Sequence, residues 1–212
     1  LHRYPTLNKQ TTEYLVLDFD ETGKLYDINL SITESLFNEF VKQADFAGDW
    51  KHRQEIIKFI EKYRTAYQTR DISKIDMMFA EDALIIIGRE VKRKKLPENT
   101  VRYQKIGDQP DIEYLKLKKS EYIDRQKRVF KAQKDIFLDF SNFDIIKKNN
   151  SKNVYGIEMR QNYASTTYAD EGYLFLLIDF NGKDPLIYVR AWQPNEWDEE
   201  TLIKTANFRI YK

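Results

Sequence analysis

Two groups of residues have the types and spacing to do chemistry. The first is Asp18, Asp20 and Thr22, which close the apolar run Tyr14-Leu15-Val16-Leu17. Two carboxylates two positions apart at the end of a strand can divide labour, one attacking an electrophile and the other moving a proton. The second is Tyr188, Arg190 and Trp192, which alternate with Ile187, Val189 and Ala191. Alternate residues of a strand face opposite ways. With the small apolar set turned to the core, Tyr188, Arg190 and Trp192 look outward beside Glu158 and Arg160. They then form a dimer or partner surface of residue types enriched at interfaces. With the faces reversed, the three line a pocket and Arg190 recognises a carboxylate or phosphate. Other chemistry is sparse. The sequence holds two histidines, His2 and His52, and no cysteine. Asp82 and Asp179 sit at element ends, and no His/Asp cluster has ligand spacing. The sequence therefore nominates no catalytic residue, no metal site and no cofactor.

The Asp18/Asp20 stretch resembles the nucleophile motif of haloacid-dehalogenase-type phosphatases. That chemistry also needs a lysine and a late acidic pair for Mg²⁺ on a parallel sheet. No apolar strand here ends in Asp-Asp, and the chain returns at once as Lys24–Ile32, a second strand joined by the turn Glu21-Thr22-Gly23. A phosphatase is thus a remote alternative. Asp18, Asp20, Thr22 and Gly23 also half-fit a calcium loop, but Asn29 stands where a bidentate Glu is needed.

The elements that would position a site are clearer. Ile56, Phe59, Ile60, Tyr63, Ala66 and Tyr67 recur at three- and four-residue steps and line one face of a long helix. Lys58, Glu61, Lys62, Arg64 and Gln68 fall mostly on the other. Asp71 or Ser73 can cap a short second helix edged by Ile75, Met78 and Phe79. Glu81-Asp82 ends it, and Ala83–Gly88 reads as a buried strand. Ser120 caps a further helix, 121–133. From Ile136 the period becomes two. Tyr155, Ile157, Met159, Gln161 and Tyr163 share one face of a strand, and Ser165–Asp170 reads as a loop. Tyr173–Phe180 reads as a central strand, Asn181-Gly182 as a hairpin turn and Leu186–Trp192 as the partner strand. Residues 1–10 read as an arm, 96–110 as an insertion and 202–211 as an edge strand. Residues 10–49 form a ββα unit; a lone hairpin and helix are marginal in water, so this unit should pack on the rest.

The helix with "YRTAYQTRD", the short helix with "MMFAEDA" and the strand "LIIIG" resemble the opening of the nuclear transport factor 2-like superfamily, including its polyketide-cyclase (SnoaL-like) branch. The resemblance covers roughly residues 50 to 195. It implies an α+β, cystatin-like cone, in which a strongly curved antiparallel sheet wraps around helices and leaves a pocket. Residues 1–49 would be an extension and 50–212 the domain. Tyr67, Tyr155, Met159, Gln161 and Tyr163 would line the pocket. A weaker resemblance of the C-terminal strands is to uncharacterised bacterial, often exported, proteins, which implies a location in the periplasm or cell envelope.

Composition sets outer bounds. The 212 residues are 42% apolar and 14% aromatic, enough for a core. A net charge of +1, from 35 basic and 34 acidic residues, gives no overall field for nucleic acid. The basic run Arg89–Lys95 is surrounded by acids and reads as a solvated strand end. No apolar run reaches the roughly 18 residues of a membrane span. The absence of cysteine suits an exported and a cytosolic protein equally. The expectation is a non-catalytic ligand-binding or protein-interaction module, with a pocket enzyme of the isomerase, cyclase or dehydratase type as the alternative.

Overall fold

In the computed structural model, residues 2–4, 9–11, 13–34, 37–38, 50–90, 112–149 and 151–194 are described. In chain order the elements are β1 (His2–Tyr4), β2 (Lys9–Thr11), β3 (Leu15–Phe19), β4 (Leu25–Leu30), α1 (Trp50–Gln68), α2 (Ile72–Met78), β5 (Phe79–Glu90), β6 (Ile112–Lys118), α3 (Lys119–Ala132), β7 (Phe137–Lys147), β8 (Val154–Ala164), β9 (Ala169–Asp179) and β10 (Leu186–Gln193).

The apolar stripe of α1 places the core. Ile56, Phe59, Ile60, Tyr63, Ala66 and Tyr67 are all buried. Arg70, in the left-handed region at φ 59°, ends the helix. Asp71 then caps α2 by accepting from the Lys74 amide at 3.0 Å. Six strands wrap this rod in the order β6-β5-β10-β9-β8-β7. Every neighbouring pair is antiparallel except β10 with β5, which runs parallel. Register shifts between Ser141 and Asp144 and between Ile187 and Val189 are bulges that bend the sheet. The concave face carries Leu138, Phe140, Ile157, Met159, Leu174, Leu176 and Ile178 onto α1. The convex face carries a second buried cluster of Ile86, Val154, Phe175, Leu177, Val189 and Ala191. The fold is α+β, a curved sheet around helices.

The N-terminal hairpin does pack on this body. β3 and β4 pair antiparallel, with Gly23 at φ 81° in the turn. Leu30 N–H donates to Thr65 Oγ1 at 2.7 Å and Ile32 N–H to Glu61 Oε1 at 3.2 Å. The side chain of Arg64 reaches both the hairpin and β7. These contacts overturn the phosphatase alternative. Asp20 spends Oδ1 on the turn, accepting from Thr22 N–H (2.9 Å), Thr22 Oγ1–H (2.6 Å) and Lys24 N–H (3.0 Å), and Asp18 pairs with Lys58 at 3.4 Å. Both carboxylates hold an antiparallel hairpin in place rather than close a parallel strand over a metal site.

Several boundaries differ from the sequence reading. β5 begins at Phe79, because Glu81 and Asp82 sit exposed on an already extended chain rather than ending a helix. The strand β6 was not expected, since Leu115, Leu117, Ile112 and Tyr114 put apolar groups on both faces. Within the expected arm, β1 and β2 pair with each other. The stretch read as a loop at 165–170 is strand from Ala169. The insertion at 96–110, the helix of the ββα unit beyond Asn38 and the edge strand at 202–211 lie outside the described residues.

Candidate functional site

A cavity of about 590 Å³ lies at the wide end of the cone, between the end of α1, α3 and the concave face. Its size suits a small molecule, for which pockets run from about 300 to 1,000 Å³. Three of the residues expected to line a pocket do so: Tyr67, Gln161 and Tyr163. Tyr155 and Met159 do not. They lie on the same face of β8 but lower in the cone, where the sheet closes on α1 and the space is filled. Met159 is packed in the core, and Tyr155 meets Phe180 edge-on at 5.9 Å and His52 at 5.9 Å.

The bulge in β10 decides where its side chains go. Ile187 packs in the concave core, yet Val189 and Ala191 belong to the convex cluster. Tyr188, Arg190 and Trp192 therefore take the concave side, and Arg190 and Trp192 line the cavity. Glu158 and Arg160 remain on the other face, where Arg160 is ion-paired with Glu171. Burial pushes the Glu158 carboxyl up, with the charge of Asp144 adding to it. The outward surface combining all five residues is thus not assembled, and the reversed assignment of β10 holds.

Arg190 is the centre of the cavity floor. It is 7% exposed. Its Nε–H donates to Tyr63 Oη at 3.1 Å, and Cζ lies 5.3 Å from the centre of the Tyr122 ring, a cation–π distance. Tyr67 and Tyr122 share a short hydroxyl–hydroxyl hydrogen bond, and the Tyr63 and Tyr67 rings stand 4.6 Å apart. Burial drives the Tyr67 and Tyr122 phenols well above their ordinary range, so both stay neutral. A guanidinium stays charged throughout. Among the described residues, no carboxylate comes within ion-pair distance of it.

Two further polar groups point to an occupant. Asp170 Oδ2 accepts from Tyr168 Oη–H at 2.6 Å, whereas Oδ1 is buried without a partner among the described residues. Burial raises the Asp170 carboxyl; the Tyr168 hydrogen bond and the Arg190 charge act against that rise. Trp192 Nε1 is likewise buried with no partner among the described residues. Buried polar atoms in native proteins are rarely left so. Sequence reasoning missed Asp170. Reading the alternation of Leu174, Leu176 and Ile178 backward would have put it on their face.

Trp192 lies over Gly172. A Cβ at 172 would stand 2.6 Å from Trp192 Cζ2 and 2.5 Å from the Gln193 carbonyl oxygen. Gly172→Ala is expected to cost about 1–3 kcal/mol through overpacking. It should also displace the indole, read as a lower denaturation midpoint and a red-shifted tryptophan emission.

Neither the protein-family models nor the curated proteins searched match the sequence. Solved structures do match. Bdellovibrio bacteriovorus Bd1075 superposes with a TM-score of 0.51 at 16% identity, over 73% of this chain and 44% of that one. The chain thus spans less than half the length of Bd1075. An NTF2-like protein of unknown function from Pseudomonas putida gives 0.47 at 14% identity, over 70% of this chain and 89% of that one. Naphthalene 1,2-dioxygenase gives 0.49 at 10% identity, over 72% and 83%. With the helices seated in a curved sheet and a cavity at its wide end, the chain has an α+β cone fold, the body on which Bd1075 superposes.

Proposed function

We propose that this protein is a non-catalytic binding module whose cone takes a small, planar, anionic molecule, with a carboxylate on Arg190. One observation carries the reading: a buried guanidinium that has a tyrosine but, among the described residues, no carboxylate as partner. Withdrawing such a charge from water costs several kcal/mol unless an anion compensates. A ligand carboxylate would do so bidentately. The aromatic walls favour a flat body, and Asp170 Oδ1 favours a donor group on it. The test is thermal shift and calorimetry with benzoate, 4-hydroxybenzoate, phenol and benzylamine. The two carboxylates should bind, with a gain of about 2.7 kcal/mol at a hundredfold excess over Kd. Equal responses to benzoate and benzylamine, or none to either carboxylate, would reject the reading. Export from a bacterial cell rests on sequence resemblance, and fractionation of the source cells tests it.

Affinity should depend on pH. An ionised Asp170 repels a ligand anion, and its carboxyl is raised by burial, so protonation comes at higher pH than for a free aspartate. Binding should tighten as pH falls through that raised value, because protonation removes the like charge. Asp170→Asn should bind as tightly at neutral pH as wild type does in acid, with the slope gone. The stability linkage has the same sign. The folded state holds this proton more tightly, so the stabilisation is complete below the unfolded pKa and is lost as pH rises through the folded one.

The same carboxylate favours a second reading, a pocket enzyme that moves a proton with Asp170 as acid or base. Deuterium uptake from D₂O into a bound ligand's carbon, lost in Asp170→Asn, would support it; ligands recovered unlabelled would leave binding alone.

A further inference from the structure

The β3–β4 hairpin is amphipathic in the reverse of the usual sense. Its polar face is the docked one. Asp18 pairs with Lys58 (3.4 Å), and Asp27 with Lys62 (3.6 Å) and Lys74 (3.5 Å). Asn29, on the same face, is buried. The other face is apolar and in solvent. Cross-strand partners Leu17↔Ile28 and Phe19↔Leu25 stand opposite each other, next to Leu15. Leu15 is 62% exposed, Leu17 48%, Phe19 55%, Leu25 41%, Tyr26 61% and Ile28 46%. Ion pairs and backbone hydrogen bonds fix the hairpin's orientation on α1, so it cannot turn over to hide these side chains.

We infer that this face is the contact surface of a homodimer, packing on the same face of a second copy about a two-fold axis. Six large side chains at these exposures present on the order of 600 Å² of contiguous apolar surface, as much as the largest patch on a typical monomer. Two such faces pressed together bury about 1,200 Å², which reaches the lower end of specific protein–protein interfaces. The face itself has no charged residue, since Asp18 and Asp27 point to α1. Beside Leu15 and Ile28 it is bordered by Glu13, Arg70, Lys134 and Asp135, two charges of each sign, so it meets its own copy without net repulsion. A two-fold contact requires such a self-complementary patch. This inference is independent of the ligand proposed for the cone.

Sedimentation velocity of the full chain between about 1 and 100 µM tests it. Wild type should be dimeric in the upper part of that range. Leu17→Glu/Phe19→Glu should weaken association at least a hundredfold with circular dichroism unchanged, because both positions are exposed. The sequence has no cysteine, so single thiols can report proximity. Leu17→Cys should give a covalent dimer with diamide, and Met77→Cys, exposed on α2, should not. A wild type monomeric at 100 µM overturns the inference and leaves the face to a different protein. A dimer that survives the double glutamate variant also overturns it and moves the contact elsewhere.

Discussion

Arg190→Met is expected to yield a protein that is more stable than wild type and blind to carboxylates. The guanidinium is buried, with a hydrogen bond to Tyr63 and the face of Tyr122 as its partners. Neither returns the cost of burying a charge. Methionine fills similar length without charge, and replacing buried ions with apolar groups has been neutral or stabilising by about 1–4 kcal/mol. The Tyr63 hydroxyl loses one donor, worth about 1 kcal/mol, so a net gain of up to about 3 kcal/mol is expected in urea. Benzoate binding should fall below detection. A stabilised variant that has lost binding is the signature of a charge kept for a ligand. A strongly destabilised Arg190→Met would instead mean that the arginine holds the core.

Arg64→Ala should have the opposite effect, and a larger one. The Arg64 side chain is 3% exposed and uses its whole fork. Nε–H donates to Leu138 O at 2.7 Å, Nη1–H to Ser31 O at 2.6 Å and Nη2–H to Glu13 Oε2 at 2.7 Å. One side chain thus ties α1 to β7 and to both flanks of the hairpin. Its removal leaves a mostly buried Glu13 carboxylate and two carbonyls without partners. Breaking one side of a buried pair costs about 3–5 kcal/mol, roughly 10 °C in a chain of this size. Lysine should not rescue it, since a single ammonium cannot reach three acceptors in a plane. Hydrogen exchange should show the hairpin amides opening before those of β8 and β9.

These two arginines also mark where the sequence was readable and where it was not. The buried stripe of α1 followed from helical spacing alone, and the faces of β8 from the two-residue alternation of a strand. Arg64 and Glu61 were read on the wet side of α1, and by the helical wheel they are. They are nevertheless buried, because the hairpin lies over them. A second layer leaves no periodic trace in the helix it covers. Arg190 was placed correctly by one of two readings, and the choice could not be made from the sequence. One extra residue in the bulge near Ile187 reverses every later side chain of β10. Asp170 was hidden because the Ser165–Asp170 segment has loop composition, although its last two residues are already strand. The parallel seam between β5 and β10 joins strands a hundred residues apart, which no local pattern encodes.

A crystal structure grown with 1-naphthoate tests most directly whether the buried Arg190 guanidinium, which has no carboxylate partner among the described residues, is an anion site. The carboxylate is expected within about 3 Å of the Arg190 nitrogens, with the rings among Tyr67, Tyr122 and Trp192. A cone that stays empty at saturating ligand, or an Arg190 paired with a carboxylate of the chain itself, would contradict it.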